Sequence, residues 1–278
     1  MLDDLGYAYF QKTVRRLVGV DLSCYRQGQM RRRLEALLQR TGTASFREYA
    51  RLLETNPARL QEFRDYFTIN VSEFFRDADC FRYLEAQVLP GLLGGRASLR
   101  VWSAGCSIGA EAYSVAMLLR QLAPQGRHRV LATDVDRTIL DRARRGDGYT
   151  AAEVRQVDAA RLSRYFTRSA DGTTYAVKPE VRALVEFREH NLLGPAPGTG
   201  FDLICCRNVV IYFTEEAKRK LYETLAGALR PGGALFVGGT EIVPGAQQLG
   251  LTAAGPSFYR KEAVVTLPPR LARAGGWS

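Results

Sequence analysis

Residues 101–111 read VWSAGCSIGAE and join a short apolar run to a helical one. Gly105 and Gly109 let such a turn bend sharply and bring backbone close to a cofactor at the carboxyl edge of a sheet. No Gly-Lys-Ser/Thr follows, so this is not a phosphate-cradling P-loop, and the GxGxxG spacing of dinucleotide sites is absent. The next apolar run ends at Asp134, where an acid is placed to accept hydrogen bonds from ribose hydroxyls. The same stretch could instead use Asp134 or Asp136 to cap a helix. Taken with the glycine turn, adenosine binding is the better reading. A ribose without a phosphate loop points to S-adenosylmethionine.

Elements that would position these residues can be traced along the chain. Up to about residue 75 apolar side chains recur at helical spacing: Phe10, Val14, Leu17 and Val18, then Met30, Leu34, Leu37 and Leu38. A third set, Phe46, Tyr49, Leu52 and Leu53, follows a cap-like stretch at 43–45. From about residue 97 strands are expected at 99–103, 129–133, 184–187, 202–206 and 234–237, with helices at 111–122, 137–145 and 215–229. Strands spaced by helices imply a parallel sheet covered on both faces. Arg230-Pro231-Gly232-Gly233 reads as a stop and turn before the last of these strands. Asp171-Gly172 within 165–180 suggests an inserted hairpin.

Composition narrows the partners. The chain has 278 residues, 39 Lys+Arg against 29 Asp+Glu, and a net charge of +10, which favours anionic partners, phosphate or clustered carboxylates. Only Lys12, Lys178, Lys218, Lys220 and Lys261 are lysines, so part of the charge reflects arginine-rich coding. No apolar run approaches the roughly 18 residues of a membrane span, and the first residues carry early acids rather than a secretory leader. Five cysteines without a CxxC pair fit reduced thiols rather than zinc or disulfides; Cys205 and Cys206 read as buried strand residues. His128 and His190 are too isolated for a metal site or a triad.

Two further stretches are TINVSEFFR (68–76) and CRNVVIYF (206–213). With the Trp-Ser-Ala-Gly turn, the Thr-Asp-Val-Asp strand end and the pair Asn191-Leu192, they resemble CheR-type chemotaxis receptor methyltransferases, in that family's order and spacing from about residue 5 to 262. The resemblance implies an α/β fold: a class I S-adenosylmethionine-dependent, Rossmann-like sheet domain, a small N-terminal all-helical domain and a small inserted antiparallel β-subdomain. The expected boundaries are a substrate-facing helical domain at 1–75, a linker and cofactor-contacting segment at 76–96, the methyltransferase domain at 97–265 with its hairpin near 165–180, and a flexible tail at 266–278.

By position, the resemblance places Asn70, Ser72, Arg76, Glu111, Asp134, Asn191, Leu192, Arg207 and Asn208 at S-adenosylmethionine, with S-adenosylhomocysteine as product. Ser72 stands where the family usually has Thr, which keeps the hydroxyl. The family's two adjacent acids followed by Pro are reduced here to Ala110-Glu111-Ala112, which retains only the second acid. Arg76 and Tyr212 are the expected catalytic residues, Arg76 orienting a substrate carboxylate and the Tyr212 hydroxyl fixing its attacking oxygen.

The implied reaction is methyl transfer to glutamate carboxylates on the cytoplasmic helical domain of chemoreceptors, giving methyl esters. A basic helix should face those acidic receptor helices, and Arg26, Arg33 and Arg40, seven residues apart each time, share one helical face. The expectation is a cytoplasmic monomer recruited to membrane receptor arrays, with no nucleic acid, no metal and no membrane insertion. Two other readings stay open here. One is a nucleic-acid methyltransferase, motivated by the charge but lacking an Asn/Asp-Pro-Pro-aromatic motif and a Pro-Cys nucleophile. The other is a non-catalytic signalling adaptor with the same fold.

Overall fold

The computed structural model describes residues 4–67 and 72–263. Four helices come first: α1 (Asp4–Val18), α2 (Gln27–Thr41), α3 (Phe46–Thr55) and α4 (Pro57–Phe67). Ser45 starts α3 by accepting a hydrogen bond from the Glu48 amide, while the Glu48 carboxylate accepts one from the Ala44 amide, so both ends of the cap are satisfied. Apolar periodicity alone does not mark the fourth helix as a separate element. Its first turn is held by Asn56, whose side chain accepts from the amides of Ala58 and Arg59.

The helical core is aromatic. Phe63 is fully buried, with its ring 5.8 Å from Phe10, 6.4 Å from Tyr49 and 5.9 Å from Phe67. Phe63→Ala should therefore destabilise the protein by about 3–5 kcal/mol, since the cavity adds to the lost transfer energy. Leu5→Ala, at a side chain 81% exposed, should be close to neutral. Urea unfolding of both variants checks the contrast.

Residues 76–96, expected as a linker, are mostly helical. Helix α5 (Ala78–Tyr83) passes through a π-helical turn (Leu84–Val88) into α6 (Leu89–Leu93), and buries Phe81, Leu84, Val88, Leu89 and Leu92. The burial explains why this segment orders.

The rest is built on strands β1 (Arg100–Ala104), β2 (Arg129–Asp134), β6 (Val185–Glu189), β7 (Phe201–Cys206), β8 (Leu229–Val237), β9 (Leu251–Ala253) and β10 (Phe258–Lys261). They form one sheet in the order β6-β2-β1-β7-β8-β10-β9. The first five strands are parallel, and β10 and β9 add antiparallel. Helices α7 (Ala110–Leu122), α8 (Arg137–Arg145) and α11 (Glu215–Ala228) connect and cover the parallel strands. The sheet reversal occurs around β1, with crossovers to β2 on one side and β7 on the other, which opens a crevice at the carboxyl ends of these strands.

The inserted unit is a three-stranded antiparallel sheet, β3 (Tyr149–Thr150), β4 (Phe166–Arg168) and β5 (Thr174–Val177), in the order β3-β5-β4. Helix α9 (Ala159–Tyr165) leads into β4, and the four-residue α10 (Pro179–Arg182) follows β5. Phe74 anchors this unit to the inter-domain segment, its ring packed edge-on against Tyr149 and Phe166. No helix among the described residues is long and apolar enough to cross a membrane.

Candidate functional site

A cavity of about 220 Å³ lies at the carboxyl ends of β1, β2 and β7, against the helical domain. The glycine turn forms its floor. The amides of Gly105 and Cys106 both donate to the Thr133 carbonyl, 2.8 and 2.9 Å, which ties the turn to β2. Gly105 has φ +80°, and a Cβ there would sit 2.6 Å from a methyl of Val209, so both conformation and space demand glycine.

Asp134 ends β2 and is 9% exposed. Its Oδ2 accepts from the Ser107 amide at 2.8 Å and its Oδ1 from the Asp136 amide at 3.1 Å. Burial pushes this carboxyl above the usual aspartate range, and the two backbone amides pull it back. The capping role falls to Asp136, which accepts from the amides of Thr138 and Ile139 at the start of α8. Asp134 is thereby left facing the cavity.

Glu111 stands in the first turn of α7 and also lines the cavity. Its Oε1 accepts from the Ser103 hydroxyl at 2.7 Å, and its Oε2 lies 3.4 Å from Nη1 of Arg207. Ser72, Arg76, Asn191, Leu192, Asn208 and Tyr212 line the same cavity. Asn70 lies outside the described residues. Asn191 bridges the domains, its Nδ2 donating to the Gly19 carbonyl at 2.8 Å while its Oδ1 accepts from the Leu193 amide.

Arg207 borders the cavity, but its guanidinium is held by protein groups. The side chain is 2% exposed and packs against the rings of Phe81 and Phe236, 5.3 and 4.4 Å from their centroids. Cys106, Cys205 and Cys206 are all buried, and burial pushes each thiol well above its ordinary range. That is the opposite of an activated nucleophile.

The helical domain supplies a wall that the sequence reading missed: Val20, Tyr25 and Phe67. Tyr25 packs edge-on against Phe67 and Phe213, 5.2 and 5.0 Å between centroids. Next to it the chains pair as strands do. The Arg26 amide donates to the Tyr212 carbonyl at 2.9 Å, and the Thr214 amide donates to the Cys24 carbonyl at 2.8 Å. Tyr212 is thus fixed in position by the segment that starts α2.

The three arginines expected on one face of α2 divide. Arg26 precedes the helix and pairs with Glu215 on α11 at 3.0 Å. Arg33 and Arg40 lie on α2 with Tyr66 between them, 5.4 and 4.7 Å from its centroid. Arg33 also donates to the Tyr66 carbonyl at 2.9 Å and stands 5.7 Å from the Tyr212 ring. A basic face therefore reaches the mouth of the cavity.

The donor set suits S-adenosylmethionine. Two carboxylates, Glu111 and Asp134, match an ammonium group and ribose hydroxyls, and Leu192, Val135 and Val209 give apolar surface for a purine. Ser72 and the backbone of the glycine turn add further polar groups at the same wall.

Comparison with known proteins agrees with this geometry. Residues 5–68 match the family described as CheR methyltransferase, all-alpha domain, and residues 70–257 match CheR methyltransferase, SAM binding domain. A chemotaxis protein methyltransferase of Listeria monocytogenes is 40% identical over 264 residues, covering 94% of this chain and all of its own. Chemotaxis protein methyltransferase 1 of Pseudomonas aeruginosa is 36% identical over 247 residues, covering 85% of this chain and 90% of its own. A probable chemotaxis protein methyltransferase of Rhizobium etli is 36% identical over 241 residues, 82% of this chain and 89% of its own. An all-α domain joined to an S-adenosylmethionine-binding sheet domain, with the crevice between them, places this chain in the CheR methyltransferase family as an S-adenosylmethionine-dependent methyltransferase.

Proposed function

We propose that the chain methylates glutamate side chains of chemoreceptors, acting as a cytoplasmic monomer on receptors arrayed at the membrane. The observation that carries this reading is the continuity of the basic α2 face with the cavity mouth, where Arg33 stands over Tyr212. Acidic helices laid on α2 would bring a carboxylate to Arg76 and Tyr212. The names of the relatives support the same pathway.

S-adenosylmethionine, when bound, supplies an electrophilic methyl group on a cationic sulfonium. Glu111 and Asp134 would hold its ammonium and ribose, Ser72, Asn191 and Asn208 its remaining polar edges, and Leu192 its base. A glutamate carboxylate is already ionised at neutral pH, so the protein need not provide a general base. Opposite charges merge as methyl transfer proceeds, and an apolar surround favours that loss of charge. Tyr25, Phe67, Val135, Leu192 and Phe213 provide it. Arg76 orients the carboxylate, and the Tyr212 hydroxyl fixes one oxygen in line.

Incubation with methyl-labelled S-adenosylmethionine and receptor cytoplasmic fragments tests the assignment. Label should enter the fragment and be released by mild base as an ester is. Base-stable label, or label entering nucleic acid instead, would sink it. The docking face has its own test. Arg33→Glu with Arg40→Glu should lower kcat/KM for the fragment about tenfold or more, because like charges then meet the acidic helices. Cofactor affinity, measured by calorimetry, should stay unchanged. Arg40→Glu alone separates repulsion from the loss of the Arg33 contact with Tyr212.

A further inference from the structure

We propose that Arg207 is a positioning residue: it locks a strained turn at residues 75–77 and so aims Arg76 into the cavity. This goes beyond the contact expected of it by resemblance and rests on the reading of Arg76 given above. The turn is unusual in its backbone. Phe75 has φ +53° and Asp77 has φ +61°, so two non-glycine residues in left-handed conformation bracket Arg76. Such conformations are unfavourable for residues that carry a Cβ and persist only where the surroundings over-determine them.

The surroundings do so here. The Phe74 amide donates to the Glu153 carbonyl at 2.9 Å, and the Phe75 amide donates to the Ser114 hydroxyl at 3.0 Å. On the far side of Arg76, the Asp77 carbonyl accepts from the amides of Cys80 and Phe81 as α5 begins. Between these anchors the turn is held by Arg207. Its Nη2 donates to the Arg76 carbonyl at 2.8 Å and to Asp77 Oδ2 at 2.6 Å, while Nη1 reaches Glu111 Oε2 at 3.4 Å.

A guanidinium suits this task because its fork is planar and always charged. One end holds the turn's own carbonyl and carboxylate, and the other reaches the acid on α7. Phe81 and Phe236, an edge-on pair, pack against the guanidinium and restrict its movement. A lysine would keep the charge yet could not span both ends. Removing the fork frees the peptide between Arg76 and Asp77 to relax from its left-handed neighbours. That rotation re-aims the Arg76 side chain while leaving Asp134 and the glycine turn in place.

The test uses the full chain with Arg207→Lys, and with Asp77→Gly as a second variant. Glycine removes the carboxylate but accepts the positive φ, so it loosens the lock without adding strain. Turnover at saturating cofactor should fall about tenfold to a hundredfold in each, the scale of a displaced catalytic group. The calorimetric dissociation constant for S-adenosylmethionine should not change in Asp77→Gly, which leaves the Arg207 contact with Glu111 in place. In an Arg76→Ala background, Arg207→Lys should cost nothing further, because both changes then act on one group. Weakened cofactor binding with turnover preserved would overturn the proposal and make Arg207 a direct cofactor contact. Full additivity with Arg76→Ala would overturn it as well.

A second readout does not depend on Arg76 being catalytic. The Nε–H signal of Arg76, assigned by its loss in Arg76→Ala, should move to the mobile, solvent-averaged position in both lock variants. An unshifted signal refutes the positioning role. Wild-type turnover in Arg76→Ala alone refutes instead the catalytic role, whatever the signal does.

Discussion

Asp134→Ala should raise the dissociation constant of S-adenosylmethionine about a hundredfold, because the carboxylate proposed to hold the cofactor's ribose also ties down the glycine turn. Charged hydrogen bonds to a ligand are worth about 1.5–3 kcal/mol, and each 1.4 kcal/mol is a factor of ten. Alanine also leaves the amides of Ser107 and Asp136 without the oxygens they now donate to, at 2.8 and 3.1 Å. Asp134→Asn keeps one acceptor and should lose less. Calorimetric titration measures both. Retention of wild-type affinity by the alanine variant would remove Asp134 from the site.

The pH dependence has a definite sign. Burial raises the Asp134 carboxyl, so it protonates at a higher pH than an ordinary aspartate. Cofactor affinity should therefore begin to fall on acidification above the usual carboxylate range, a step that Asp134→Asn removes. Folding goes the other way. A raised native value means the folded state holds its proton more tightly, so this group favours folding below the ordinary value. That contribution is lost as pH rises through the raised one.

The glycine turn and Asp134 were legible because their chemistry depends on residue type at a strand end. The five parallel strands and the helices between them showed through composition and spacing alone. What stayed hidden depends on partners distant in sequence. Strand β3 has two residues and exists because Tyr149 and Thr150 pair with Tyr175 and Thr174. Arg230-Pro231-Gly232-Gly233 does bend the chain, but β8 begins before it at Leu229 and resumes pairing at Ala234, a continuity that local residue types do not show. A register shift opposite Phe201 and Leu203 absorbs the irregularity. A Cβ on Gly233 would lie 2.9 Å from the Arg230 carbonyl and 3.0 and 3.2 Å from those of Phe201 and Asp202, so glycine there lets the chain bend back on itself and stay close to β7.

The site divides along the same line. Residues on the sheet edge could be named from motifs, but Tyr25 and Phe67 line the cavity because two domains meet there. Periodicity assigned core positions within the helical domain and had no means of marking the face turned to a second domain. The arginines of α2 illustrate it further. Their spacing placed them on one face, whereas the stacking of Arg33 and Arg40 on Tyr66 depends on α4.

Arg76→Ala should lower single-turnover methyl transfer at saturating cofactor by about a hundredfold, and Tyr212→Phe by about tenfold. The inequality follows from the role proposed for each group. A hydroxyl that fixes one oxygen contributes about one neutral hydrogen bond, roughly 1–1.5 kcal/mol, close to a factor of ten in rate. A guanidinium that sets the direction of attack controls whether the reacting atoms meet in line, and misplacement by about 1 Å can cost a hundredfold. In that proposed role Arg76 holds the carboxylate loosely, since a tight ion pair would dampen the nucleophile it orients. Arg76→Lys should therefore recover part of the rate, because a point charge attracts the carboxylate without fixing its plane. The Tyr212 contribution should survive in the Arg76→Lys background but shrink with Arg76→Ala, where the substrate is no longer presented to the hydroxyl. If Arg76→Ala and Tyr212→Phe both kept wild-type turnover at saturating cofactor, neither residue would touch the reacting carboxylate, and the orienting group would have to be sought on α2.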